Sequence, residues 1–127
     1  MKENKSEYRI YYYINDKKKE PVREYIDNLS NKEQIKVFSY LELLKDNNGY
    51  LDEPYSKHME GKIRELRVDF ARNRHRIFYF TFMGKKIILL HAFLKKTAKT
   101  PQREIDKAIN NYKNLINKNK HKDDRIN

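Results

Sequence analysis

The stretch from residue 62 to residue 103, KIRELRVDFARNRHRIFYFTFMGKKIILLHAFLKKTAKTPQR, reads as three strands joined by short turns and closed by a proline-started helix. Residues 63–70 set Arg64, Leu66, Val68 and Phe70 against Ile63, Glu65, Arg67 and Asp69, the two-residue period of a pleated strand. ARNRH turns the chain into a second strand over 76–83, RIFYFTFM. Gly84 and Lys85 form a tight hairpin, and residues 86–94, KIILLHAFL, are apolar on both faces, as a central strand is. Charge is concentrated here too. Residues 57–103 carry 13 Lys/Arg against 3 Asp/Glu and supply most of the whole-chain net charge of +11. A small sheet this basic seeks a polyanion.

Before this stretch, YRIYYYI at 8–14 alternates as a first strand. Pro21 then opens a short helix with Val22, Tyr25, Ile26 and Leu29 on one face. Ser30, with Glu33 three residues on, caps a second helix, for which Ile35, Phe38, Leu41 and Leu44, with Val37 beside them, are the expected apolar stripe and Gly49 the stop. Residues 50–61 show no period and read as loop. Thr100 and Pro101 start a last helix with Ile105, Ala108, Ile109, Tyr112, Leu115 and Ile116 on its inner face. The order predicts an α+β domain: an antiparallel sheet of about four strands, mixed at the first strand, with an N-terminal helix hairpin and a C-terminal helix. The helices are expected mainly on one face, leaving the other open for a basic groove.

At 127 residues the chain suits a single domain, here 1–116, followed by a polar, frayed tail over 117–127. Hydrophobic residues are only 38%, but ten Tyr and six Phe supply large apolar surfaces for a core. Cysteine is absent, which rules out disulfides and thiol catalysis. No apolar run nears the roughly 18 residues of a membrane span, and the N-terminus lacks a signal-peptide core, so a soluble, cytoplasmic protein is expected. The histidines at 58, 75, 91 and 121 lack metal-ligand spacing, no Gly-rich phosphate loop exists, and no cofactor is expected.

The candidate chemistry lies in the cations. Arg64, Arg67, Arg72, Arg74, Arg76, Lys95 and Lys96 fall at strand ends and in one turn that antiparallel pairing brings together, with Lys57 and Lys99 flanking them. Arginine clamps phosphates bidentately and lysine acts as a point charge. Tyr79, Phe93 and His91 offer rings for stacking bases, or for the core. His91 interrupts an apolar run, as a buried hydrogen-bonded ring or as a neutral base whose pKa nearby positive charge lowers. Glu65 and Asp69, each within three residues of an arginine, read as ion-pair partners.

ELR, the R-I-F-Y strand, LLHAFLKKTAKTP and the REI-x-x-A start of the last helix resemble the signature of RelE/HigB-type toxins, in the branch related to phage Gp49-like proteins. The likeness is most specific over about 61–109. It implies a RelE-like fold and the toxin of a type II toxin–antitoxin system. Such a toxin is a ribosome-dependent, metal-independent endoribonuclease (an mRNA interferase) that arrests translation. Its partners would be the ribosome, the mRNA and a cognate antitoxin, by family habit a helix-turn-helix HigA-like protein. On this resemblance Arg76 stabilises the scissile phosphate and Arg67 supports it. Lys95 and Lys96 protonate the leaving group or bind phosphate, and His91 is a candidate base. Lys57, Arg64, Arg72, Arg74, Tyr79 and Lys99 complete the RNA-binding set. Two departures stand out: Arg64 and Glu65 occupy the place of a lysine pair, and Tyr112 is the wrong tyrosine for catalysis, lying in the core stripe. The same fold also admits a ParE-like gyrase inhibitor without enzymatic activity, or an inert antitoxin-binding phage protein.

Overall fold

The computed structural model describes residues 6–126, with side chains described through residue 119. The elements are β1 (Arg9–Tyr12), α1 (Pro21–Asp27), α2 (Asn31–Asp46), β2 (Ser56–Glu60), β3 (Ile63–Phe70), β4 (Asn73–Phe82), β5 (Lys86–Lys95) and α3 (Gln102–Ile126). The expected α+β class is observed, broadly consistent with a RelE-like arrangement. The sheet has five strands in the order β1-β5-β4-β3-β2, and only β1 runs parallel to its neighbour.

The fifth strand is β2, inside the segment expected to be loop. SKHME has no alternating apolar pattern because it is an edge strand held by main-chain pairing to β3, with a bulge between His58 and Glu60. The β3–β4 turn is also tighter than ARNRH suggests. Ala71 takes a left-handed φ of 53°, so Phe70 pairs directly with Asn73 and β4 gains three residues at its start.

Helices cover both faces, contrary to the expected open face. On one side α1 and α2 bury Val22, Ile26, Val37, Leu41 and Leu44 against Leu66, Val68, Ile77, Tyr79, Ile87 and Leu89. On the other, α3 lays Ile105, Ala108, Ile109, Tyr112, Leu115 and Ile116 over Phe78, Phe80, Ile88 and Leu90. Strand alternation explains the division, since neighbouring residues of β4 face opposite layers. Burying one face of the sheet alone would leave Phe78, Phe80 and Leu90 in water, at about 2 kcal/mol each.

The Ser30 cap forms as expected: its Oγ accepts from the Glu33 main-chain N–H at 3.3 Å and donates to Glu33 Oε1 at 2.9 Å. The α2 stripe is displaced, however. Its buried positions are Glu33, Val37, Leu41 and Leu44, whereas Ile35 and Phe38 are 69% and 45% exposed. A buried glutamate in a helix stripe is invisible to an apolar count, so the periodicity was drawn one ridge over. At the C-terminus α3 continues as helix to Ile126, past the point where the apolar stripe ends, because residues 117–126 contain neither Gly nor Pro. No helix among the described residues is long and apolar enough to cross a membrane.

Candidate functional site

Register builds the site. Across β3, β4 and β5, Glu65 pairs with Phe78 and Phe78 with His91. Arg67 pairs with Arg76 and Arg76 with Phe93, and Asp69 pairs with Arg74 and Arg74 with Lys95. Directly paired residues share a face, so these nine form three rows on the α3 side of the sheet. Lys57 extends the first row through its pairing with Glu65. The bulge between Phe78 and Tyr79 matters here, for it puts His91 opposite Phe78 on the same face as Leu90. α3 packs over the aromatic half and leaves the end nearer the β3–β4 turn uncovered.

Two carboxylates organise the cations. Glu65 is fully buried; its Oε1 accepts from Arg67 Nε at 3.1 Å and its Oε2 from the Thr100 hydroxyl at 3.0 Å. It therefore ties β3 to the segment leading into α3. Arg76 is only 5% exposed, and its Nη1 donates to Asp69 Oδ1 at 2.7 Å and to the His75 carbonyl at 3.0 Å. Arg76 Nε lies 4.0 Å from Glu65 Oε1 and is buried with no hydrogen-bond partner among the described residues. An unpaired buried donor on a charged group costs stability. Lys95 has its pKa lowered, first by burial and then by Arg76, Arg67 and Arg74, with Glu65 pulling the other way.

His91 Nε2 bonds Glu104 Oε1 at 2.7 Å, and its ring stacks within 15° of both Phe78 and Phe93. Burial pushes its pKa down against the raising pull of Glu104, with Lys107 a smaller lowering influence. The expected direction holds, but desolvation rather than the cationic groove is the main cause. A neutral ring donating Nε2–H to Glu104 keeps a lone pair on Nδ1. Phe93 is both buried core and part of the rows.

The remaining sequence candidates divide. Arg74 and Lys57 join the rows, as described. Lys96 and Lys99 follow β5 in an exposed segment, and Arg72 is exposed in the turn after β3. Arg64 and Tyr79 go to the other face. Arg64 stacks 4.5 Å over the Tyr50 ring and donates to Ser56 Oγ and the Leu51 carbonyl, which pins the loop before β2. Tyr79 is completely buried, its hydroxyl 2.8 Å from Ser56 Oγ, so its ring is a core plate and presents no surface for a base. One-residue alternation decides this: Tyr79 faces opposite to Phe78.

The ion-pair reading of Glu65 holds in its bond with Arg67, but Glu104 and the Thr100 bond to Glu65, which act across elements distant in the chain, left no signal in the sequence. Sequence reasoning also missed a buried network on the opposite face. Tyr25 OH lies 2.7 Å from His75 Nδ1, His75 Nε2 lies 2.6 Å from Glu33 Oε2, and Asn73 donates to the same oxygen at 3.0 Å. Only the capping-box glutamate at 33 hinted at it. Among the described residues no three His, Asp or Glu side chains converge as a cation site would require.

No curated protein matches the chain. A family model does: that of the phage-derived Gp49-like proteins matches residues 24–113, which run from within α1 to about the middle of α3 and include all nine residues of the rows. The chain therefore belongs to the phage-derived Gp49-like family, a family of toxin-like proteins.

Proposed function

We propose that this protein is the toxin of a type II toxin–antitoxin system and that it cuts mRNA on the ribosome. The observation that carries this reading is the row register. Arg67 and Arg76 stand side by side with Lys95 one row on, and among the described residues a buried guanidinium N–H has no partner. Such a surface grips a phosphodiester and stabilises the extra negative charge that develops as its phosphorus becomes five-coordinate.

The chemistry asks for no metal. The ribose 2′ oxygen attacks the adjacent phosphorus and the bond to the 5′ oxygen breaks, leaving a 2′,3′-cyclic phosphate and a 5′-hydroxyl. Neutral His91 takes the 2′-hydroxyl proton. Lys95, its pKa lowered chiefly by burial, gives a proton to the departing 5′ oxygen. Arg76, seconded by Arg67, holds the phosphate, while Arg74, Lys57, Arg72, Lys96 and Lys99 follow the strand on either side. Tyr79 and Arg64 drop out of the RNA set, because both are committed to the opposite face. A cognate antitoxin, helix-turn-helix and HigA-like, neutralises the toxin.

Expression without antitoxin, followed by primer extension on a translated message, tests this reading. Cuts inside codons that disappear with Arg76→Ala are expected. DNA damage with induced repair would point instead to a gyrase poison, and absence of any growth effect to an inert antitoxin-binding protein.

A further inference from the structure

The two carboxylates of the rows differ in a way that assigns them different work. Glu65 is fully buried with a partner on each oxygen, whereas the Asp69 side chain is 60% exposed and its side-chain ion-pair partner is Arg76. We propose that Asp69 occupies the phosphate position of Arg76 in the free protein and yields it to the incoming backbone of RNA, so that the site carries its own competing anion. This rests on the reading that the face binds a phosphodiester.

The geometry favours exchange. Asp69 Oδ1 sits 2.7 Å from Arg76 Nη1, the distance a phosphate oxygen would take. Arg76 keeps its bond to the His75 carbonyl when the carboxylate leaves, so the guanidinium stays in place. The Asp69 main chain also stays, because it pairs with Arg74 and its carbonyl accepts from Lys36 Nζ. Only side-chain rotation is needed. Arg74 and Lys95 share a row with Asp69, so a phosphate backbone longer than the carboxylate can extend toward them along that row. The Asp69 end of the pair is 60% exposed, so water screens its hold on Arg76, and a backbone carrying several phosphates competes with more than one charge. Glu65 cannot exchange in this way, since releasing it would strand a buried charge.

The test is binding of a 2′-O-methyl RNA hexamer, which cannot be cleaved, followed by fluorescence anisotropy at about 0.1 M salt. Asp69→Asn should bind about two- to five-fold tighter than wild type. Asp27→Asn, at the end of α1 on the other side of the sheet, changes net charge equally and controls for it. Asp69→Asn binding no tighter than Asp27→Asn, with melting unchanged in both, overturns the proposal. Should Asp69→Asn fold poorly, the Asp69 carboxyl carbon resonance of the wild-type protein decides. It shifts as hexamer is added if the carboxylate is displaced, and a stationary resonance at saturation overturns the idea. Arg76→Ala separates this from the broader reading: undiminished hexamer binding there would sink the RNA site itself.

Discussion

His75 and Arg76 are consecutive residues of β4, both buried and both polar, yet the faces they serve treat polar burial in opposite ways. On the His75 side every polar group of the network is matched. His75 Nε2 is in hydrogen-bond contact with Glu33 and Nδ1 with the Tyr25 hydroxyl, and Ser30 and Asn73 complete the Glu33 carboxylate. Burial pushes the Tyr25 pKa up to about 12, which keeps its hydroxyl protonated at any ordinary pH. On the Arg76 side an N–H has no hydrogen-bond partner among the described residues, and burial lowers the pKa of Lys95. A closed polar network locks α1 and α2 onto the β3–β4 turn. An incompletely satisfied one is where the proposed RNA ligand has something to complete.

That contrast breaks most visibly at Arg76. Arg76→Ala should lower ribosome-dependent cleavage by about 10²–10³-fold, the usual loss when a charge-stabilising donor is removed. The fold should survive, because Asp69 is exposed and can turn to water. Quantified primer extension on one message, with the melting temperature taken alongside, checks both halves. Equal rates in variant and wild type would make the orphaned donor a packing accident.

The mirror experiment is Glu33→Ala. It strips His75, Asn73 and Ser30 of their shared acceptor and should cost about 2–3 kcal/mol of stability with cleavage per folded molecule unchanged. The pH dependence sharpens it. His75, Ser30 and Asn73 together hold the Glu33 pKa down to about 2, so the folded state binds this proton less readily than the unfolded chain. Its contribution is complete above the ordinary value of 4.5 and is lost as pH falls toward about 2. Urea midpoints from pH 7 to pH 2 should therefore fall more steeply for wild type than for Glu33→Ala.

A smaller effect belongs to Lys95. Because its pKa is lowered from 10.5, chiefly by burial, the cleavage rate should begin to fall with rising pH before a free lysine would deprotonate. Lys95→Arg keeps the charge and should move that alkaline limb upward at reduced rate. A limb identical in both proteins would remove Lys95 from the proton transfer.

How much of this was legible in the sequence follows from what kind of signal each part leaves. β3 was readable residue for residue, because its alternation and its place between a loop glycine and a turn are local properties. The basic rows were readable as a crowd of arginines, since antiparallel neighbours must meet. Which side each faced was harder. The β4–β5 bulge shifts the pairing by one residue without a glycine or proline to announce it, and Ala71 turns the chain in a conformation more often left to glycine. β2 left no trace because edge strands need no apolar face. Glu104 and Thr100 act on His91 and Glu65 from far along the chain, which periodicity cannot register.

Tyr79 provides the finest probe of the contrast, since sequence placed it among the RNA-binding rings and the structure places it on the closed face. Its hydroxyl meets Ser56 Oγ at 2.8 Å, and that oxygen also accepts from Arg64 Nε at 3.0 Å. Burial raises the phenol pKa, so the group stays protonated. Tyr79→Phe removes one hydrogen bond, leaves the ring volume in place and leaves Ser56 still partnered by Arg64. The expected cost is about 1 kcal/mol, or a melting point lower by about 4 °C for a domain of this size, with hexamer affinity unchanged. A tyrosine standing on an exposed stacking surface would lose its hydroxyl at no cost to stability, because water already satisfies it. Thermal melts of the two proteins therefore tell a core plate from a base platform, and an unshifted melt would return Tyr79 to the open face.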